Sequence, residues 1–408
     1  MTLTLSISKS VYGGAGLARL GDGRVAFVEG AFPGETVRAK ITEEKRRFVR
    51  CEIVEMLEPS PERILAFGEA VQPGAVYSAV SPKAELAFKR DQLENFLQKV
   101  SKKDSEIKTT AHTGWPLDHY RNKAIYRFKR DSTGAWLIGY LREGSHDVID
   151  TPQDALALPE INVRLPSIRS DVKAILTQGA DAVRKWAAAT ETVTVRYTRQ
   201  DGVKWWLGAA PKDMVLRETT CGLTFKVAAD GFYQVNPAVG EELVKRVVAA
   251  YLEKADALPH ILDLYCGVGV FGICCAKANK NPPEPVRLVG AEMSQPAIRL
   301  AKENAAAAGV DGRFFAEKVG GSVRRFKVGS KHTVIVDPPR GGLERQAAEW
   351  LSKCRAGRIF YVSCDPATLV RDLSIIMQGW QWKVERAELF NMFPRTARFE
   401  SFIILERR

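Results

Sequence analysis

The stretch HILDLYCGVGVFG, residues 260–272, constrains the fold more than any other. A strand-forming apolar run ends in a tight turn carrying Gly267, Gly269 and Gly272, and a helix must begin at once. Apolar runs of strand length recur after it as RLVGAEM, TVIVDPP, RIFYVSC, KVERAELF and SFIILE. Helical patterns are predicted over 238–251, 295–308, 343–353 and 367–377. Buried strands alternating with helices imply an α/β fold with a largely parallel, Rossmann-like sheet covered on both faces.

The glycine pattern alone fits a dinucleotide site, because Glu292 ends a later strand at about the expected distance. Asp263 argues for a different ligand. It lies just before the turn, where a carboxylate would repel a pyrophosphate but suit the amino group and sulfonium of S-adenosylmethionine (SAM). Glu292 can accept hydrogen bonds from ribose hydroxyls of either ligand.

The chain upstream reads differently. Residues 1–60 contain short β-forming runs punctuated by GGAG, LGDG and AFPGE, which predicts a small β-barrel of OB type. Such a barrel is a nucleic-acid platform or structural padding. Pro59 and Pro61 mark a linker. Residues 61–228 form a central α+β region, with a helix over 83–100 followed by HYRNKAIYRFKRD. There Arg121, Lys123, Arg127 and Lys129 interleave with Tyr120, Tyr126 and Phe128. A strand of this kind either places its cations on phosphates or presents a solvated face. The third segment is 229–408.

Charge supports a polyanionic partner: 60 Lys and Arg oppose 48 Asp and Glu, a net charge of +12. No apolar run is long enough for a membrane span, and no signal peptide precedes the first strand, so the cytoplasm is the expected compartment. The seven cysteines include no C-x-x-C pair, which disfavours a disulfide framework and a structural metal site.

Three residues carry candidate chemistry. Asp337 ends the strand of VIVDPPRGG, at the sheet edge where ligands bind in open α/β folds. Its two prolines stiffen the loop, and Arg340 stands where amino-group methyltransferases often carry an aromatic residue. Cys364 of YVSCD ends the next strand, ahead of a helix whose N-terminus is expected to lower the thiol pKa. Glu400 of MFPRTARFES opens the last strand, as a rim charge or a general base.

Taken together, LDLYCGVGVFG, DPPRGG, SCDPATLVRD and PRTARFES resemble the RNA (uracil-5-)-methyltransferase family. FYQVN resembles the opening of its catalytic domain, YRNKAIYRF its central domain, and residues 1–60 its N-terminal TRAM domain, an RNA-binding barrel. The resemblance implies Cys364 as nucleophile, Glu400 as general base, and Asp337 against the flipped uracil or the SAM side of the pocket. It implies a SAM site lined by Gln234, Tyr265 and Glu292, with Gly267 and Gly269 in its turn. RNA is the implied substrate, ribosomal RNA favoured over transfer RNA. The alternatives are a cytosine-5 methyltransferase, an NAD oxidoreductase and a non-catalytic RNA-binding protein. The last would have lost its nucleophile or base, and both are present.

Many relatives with a TRAM domain hold an iron–sulfur cluster through cysteines near residues 66–80 and 154. This chain has ILAFGEAVQPGAVYSA and TPQDALAL there, so no cluster is expected, and charge-neutral packing should take its place. Arg398 and Arg395 stand where the family often has His and Gln, and Val270 and Lys318 where it often has amides or an acid. With the chemistry entirely beyond Phe232, the barrel is expected to govern RNA affinity rather than turnover.

Overall fold

The computed structural model describes residues 2–69, 71–100, 107–142, 144–379 and 381–408. Six short strands open the chain: β1 (Thr2–Ser6), β2 (Lys9–Ser10), β3 (Gly16–Arg19), β4 (Val25–Glu29), β5 (Thr36–Glu44) and β6 (Phe48–Glu58). They form one sheet in the order β1-β5-β6-β4-β3-β2. Alternation drives it: β5 buries Val37 and Ala39 and exposes Arg38 and Lys40. Register shifts between β5 and β6 bend the sheet around a core that includes Leu5, Val28, Val37 and Val49.

Helix α1 (Pro82–Leu97) starts where Ser81 Oγ accepts the Ala84 N–H at 3.1 Å, with proline in the first turn. Its Leu93 and Leu97 join the same apolar core as Leu369 and Leu373. Strand β7 (Thr109–His112) follows. A second sheet then gathers β8 (Lys123–Arg130), β9 (Trp136–Leu141), β10 (Val148–Asp150), β11 (Thr192–Thr198) and β12 (Gly202–Leu207) in the antiparallel order β10-β9-β8-β11-β12. Helix α2 (Pro159–Gln178) covers one face with Ile161, Leu165, Ile168 and Val172, and α3 (Asp181–Thr190) follows it. The hairpin β13 (Val215–Thr220) and β14 (Leu223–Ala228) leads into the last segment.

That segment runs α4 (Pro237–Leu252), β15 (His260–Leu264), α5 (Val270–Ala278), β16 (Leu288–Glu292), α6 (Gln295–Ala308), β17 (Gly312–Ala316), α7 (Val319–Ser322), β18 (His332–Val336), α8 (Arg345–Lys353), β19 (Arg358–Ser363), α9 (Pro366–Ile376), β20 (Trp382–Phe390) and β21 (Glu400–Arg407). The sheet order is β17-β16-β15-β18-β19-β21-β20-β7. Seven strands run in one direction, and β21 slots antiparallel between β19 and β20. Two large apolar cores cover the two faces, and all five residues of β15 are buried. The largely parallel α/β reading therefore holds.

Residues 61–228 contribute strands to more than one sheet. Helix α1 packs on the large sheet, and β7 pairs with β20 at its edge. His112 Nε2 lies 2.6 Å from Glu388, and its ring stacks on Phe390.

Where charge-neutral packing was expected, the structure has a buried carboxylate. Asp154 Oδ1 accepts from Gln72 Nε2 at 2.8 Å and from the Leu156 N–H at 2.9 Å. Its Oδ2 accepts from the hydroxyls of Tyr126 at 2.9 Å and Tyr140 at 2.7 Å. The Ala157 N–H, 3.2 Å from Oδ1, is the fifth donor to this carboxyl group, so a polar clasp fills this position.

Candidate active site

The C-terminal ends of β15, β18 and β19 and the start of β21 meet at one edge of the large sheet. The turn after β15 takes left-handed backbone angles at Tyr265 (φ 60°), Gly267 (φ 54°) and Gly269 (φ 88°). A Cβ on Gly269 would lie 2.7 Å from Ile273 Cδ1, so packing and conformation both require glycine there. A Cβ on Gly267 would meet nothing within 4 Å. This part of the turn faces open space.

That space is a cavity of about 70 Å³ opening to solvent, lined by Gln234, Tyr265, Gly267 and Asp337, together with Phe232 and Glu218. Asn236 fixes the segment that carries Gln234. Its Oδ1 accepts from the Val239 N–H to cap α4, and its Nδ2 donates to the Met392 carbonyl at 3.3 Å. The Tyr265 hydroxyl donates to Glu344.

Asp263, Gly269 and Glu292 stand behind or beside the cavity. Asp263 Oδ2 accepts from the Gly272 N–H at 2.9 Å, bracing the start of α5, while its Oδ1 is buried with no partner in the protein. Glu292 Oε1 accepts from the Ser294 N–H at 2.8 Å. The residues fit SAM. An unpartnered carboxylate oxygen, acidic lining and a glycine turn with free space suit a cation-bearing nucleoside. No lysine or arginine is among the described lining residues to receive a pyrophosphate.

The three candidate chemical residues come together next to this cavity. Asp337 follows β18, Cys364 follows β19, and Glu400 opens β21. Glu400 is buried and Asp337 half-buried at the rim of the cavity; Asp337 acts on Glu400, and both act on Cys364. Burial and the neighbouring Asp263 push Asp337 up to about 7. Burial and Asp337 hold the Glu400 carboxyl well above the carboxylate range.

The expectation of a lowered thiol pKa is corrected. Burial, then Glu400 and Asp337, push Cys364 up to about 12, and Arg340 opposes them. The N-terminus of α9 does not rescue the thiolate, because Asp365 takes its amides: its Oδ1 accepts from the Ala367 and Thr368 N–H groups at 3.0 and 3.2 Å. That carboxylate also raises the thiol.

Residues 199–408 match the tRNA (Uracil-5-)-methyltransferase family, and residues 2–54 match the TRAM domain. The chain belongs to the tRNA (uracil-5-)-methyltransferase family. An uncharacterized RNA methyltransferase of Aquifex aeolicus is 28% identical, over 99% of this chain and 98% of its own. The 23S rRNA (uracil(1939)-C(5))-methyltransferase RlmD of Chromohalobacter salexigens is 29% identical, over 99% and 89%. The Pyrococcus abyssi tRNA (uracil-54, C5)-methyltransferase, solved with S-adenosyl-L-homocysteine, shares the fold. Its TM-score is 0.71 at 20% identity, covering 98% of this chain and 99% of that one.

In this uracil-5 methyltransferase family member the basic strand is only partly as expected. Tyr126 and Phe128 are buried on the core face of β8, so they are not available to stack bases, while Arg127 and Lys129 are exposed opposite them. Arg127 lies 3.6 Å from Glu191 and Lys129 3.8 Å from Asp147, both loose surface pairs. Lys123 is half-buried near the Asp230 carbonyl at 3.4 Å. Arg121 is corrected. It precedes β8 in a bridge to Ala157, half-buried beside Tyr120, Tyr140 and Asp154, where its charge faces the clasp rather than a phosphate. Among the described residues no helix is long and apolar enough to cross a membrane, and no cluster of His, Cys, Asp and Glu could hold a metal.

Sequence reasoning missed Tyr12, in the barrel turn between β2 and β3. Its hydroxyl lies 3.2 Å from the Cys364 carbonyl and 3.4 Å from Asp365 Oδ2, and accepts from Arg398 Nη1 at 2.8 Å. The barrel thus touches the peptide of Cys364, while Cys364, Asp337 and Glu400 themselves all lie beyond Phe232. Only the turn residues VYGGAG marked the place, and nothing in that pattern names a partner.

Proposed function

We propose that the protein methylates carbon 5 of a uridine in RNA, in the cytoplasm, through a covalent adduct with Cys364. One observation carries the reading. The Cys364 thiol and the carboxyl groups of Asp337 and Glu400 converge beside a cavity whose acidic lining suits SAM. Uracil carbon 5 is too weak a nucleophile alone. Addition of the Cys364 sulfur to carbon 6 turns the ring into an enolate with electron density at carbon 5. SAM supplies the methyl group when bound. Glu400 then takes the proton from carbon 5, and elimination returns the free cysteine. Asp337 sits between cofactor and base. Arg340, which lowers both Cys364 and Glu400, favours their ionised forms. The target base must leave its stack to enter this spot.

In this reading residues 1–60 are the TRAM barrel, 61–228 the central RNA-recognition region and 229–408 the methyltransferase domain. Gln234, Asp263, Tyr265, Gly267, Gly269, Glu292 and Asp337 serve the cofactor, and Lys123, Arg127 and Lys129 the RNA. The RlmD relatives, matched over nearly the full chain with the barrel included, favour 23S ribosomal RNA. The second reading, transfer RNA, is favoured by the shared fold of the tRNA uracil-54 enzyme.

Mapping 5-methyluridine in a strain lacking the protein tests this. Loss from one 23S position is the expected result. Loss from transfer RNA alone would select the second reading, and no loss from either would contradict both.

A further inference from the structure

We propose that Tyr12 is a positioning residue for methyl transfer, with which the barrel fixes the peptide of Cys364 relative to the strand that Glu400 opens. The inference rests on the reading of Cys364 as nucleophile. Among the described residues of the barrel, Tyr12 donates a side-chain hydrogen bond to the Cys364–Asp365 pair. Its hydroxyl proton is shared between the Cys364 carbonyl and Asp365 Oδ2. Asp365 in turn holds the first amides of α9, so one phenol restrains both the nucleophile's peptide and its helix cap.

The ring works on the other side. It packs edge-on against Phe399, with centroids 5.7 Å apart, and Phe399 precedes Glu400 in the chain. Phe96 of α1 closes the second edge at 6.2 Å. Arg398 donates to the hydroxyl and sits 3.6 Å from Asp365. The residues flanking the nucleophile and the base are therefore tied to one another through Tyr12. Burial pushes the phenol up to about 12, which keeps it a donor at neutral pH.

A second feature shows that the turn is fitted to this place. Gly14 has φ 98°, and a Cβ there would lie 2.7 Å from Val76 Cγ2 and 3.3 Å from Ala397 Cβ. The turn is pressed against Val76 as closely as glycine allows and lies in tight contact with Ala397. Ala397 lies one residue before Arg398.

A misplacement of about 1 Å at a reacting pair can slow a step by about a hundred-fold. Removing one hydroxyl while keeping the ring should cost less. Tyr12→Phe in the full-length protein should lower kcat by about ten-fold, with KM for RNA and the Kd of SAM changed by less than about two-fold. Capture of Cys364 by RNA containing 5-fluorouridine, scored as a gel-stable adduct, should slow by a similar factor. Gly14→Ala should give the same signature by lifting the turn away.

The proposal is overturned by a Tyr12→Phe protein with unchanged kcat and adduct rate, whatever its melting temperature, since that is a structural brace only. It is equally overturned by a loss confined to KM, which would make Tyr12 an RNA contact. Cys364→Ala is run beside it. An adduct persisting in that variant would refute the nucleophile reading, independently of Tyr12.

Discussion

Glu400, Asp337 and Cys364 share one spot in which Arg340 is the cation that favours ionisation. Substituting Glu400 by Gln leaves addition and methylation able to proceed and removes the acceptor of the carbon-5 proton. A covalent protein–RNA adduct should then accumulate and run as a shifted band on a denaturing gel. A missing band, with Cys364 intact, would assign the proton to another group. Asp337 makes a second prediction. Below about pH 7 its carboxyl is neutral and offers a sulfonium no counter-charge. Above it the carboxylate does. The ratio of SAM to S-adenosyl-L-homocysteine affinity should therefore rise between about pH 6 and pH 8. The two ligands share every titrating group and differ in the sulfonium charge, and Asp263, also pushed up to about 7, contributes to the same rise. A flat ratio by calorimetry, or a rise undiminished in Asp337→Asn, would contradict the assignment. Cys364, Glu400 and Asp337 were legible because each follows or opens an apolar strand at one sheet edge. The direction of the thiol's shift was not, because it depends on carboxylates distant in sequence and on Asp365 occupying the helix amides.

Strand β8 presents Arg127 and Lys129 on its open face, and both hold only loose surface partners. Neutralising the two should weaken RNA binding about evenly across sequences and flatten the salt dependence, by about 0.7 to 0.9 of slope per lost phosphate contact. An unchanged slope would make the strand a solvated face. Arg121→Gln should behave differently, lowering stability more than RNA affinity, because Arg121 is packed beside Asp154. Elements with a full apolar face were readable from the chain: all of β15 and β19 are buried. Strand β17 escaped because Phe314 is its only buried residue, and β7 because just Thr109 and His112 of its four are. The antiparallel insertion of β21 was also beyond the sequence. A strand apolar on both faces fits any interior slot, and pairing between distant strands decides which.

At the scale of the whole molecule the barrel and the methyltransferase sheet are joined at the chemistry through Tyr12 and Gly14. Deleting residues 1–60 should therefore lower kcat as well as raise the RNA KM. A deletion that changed KM alone would return the barrel to a pure binding role. The central claim is uracil-5 methylation through Cys364, and one measurement tests it most directly. RNA from a strain lacking the protein is incubated with methyl-labelled SAM and either the wild type or Cys364→Ala, then digested to nucleosides. The wild type should place the label in 5-methyluridine, and Cys364→Ala should place none while still binding SAM with an affinity within a few-fold. Label in another nucleoside, or substantial 5-methyluridine from Cys364→Ala, would contradict it.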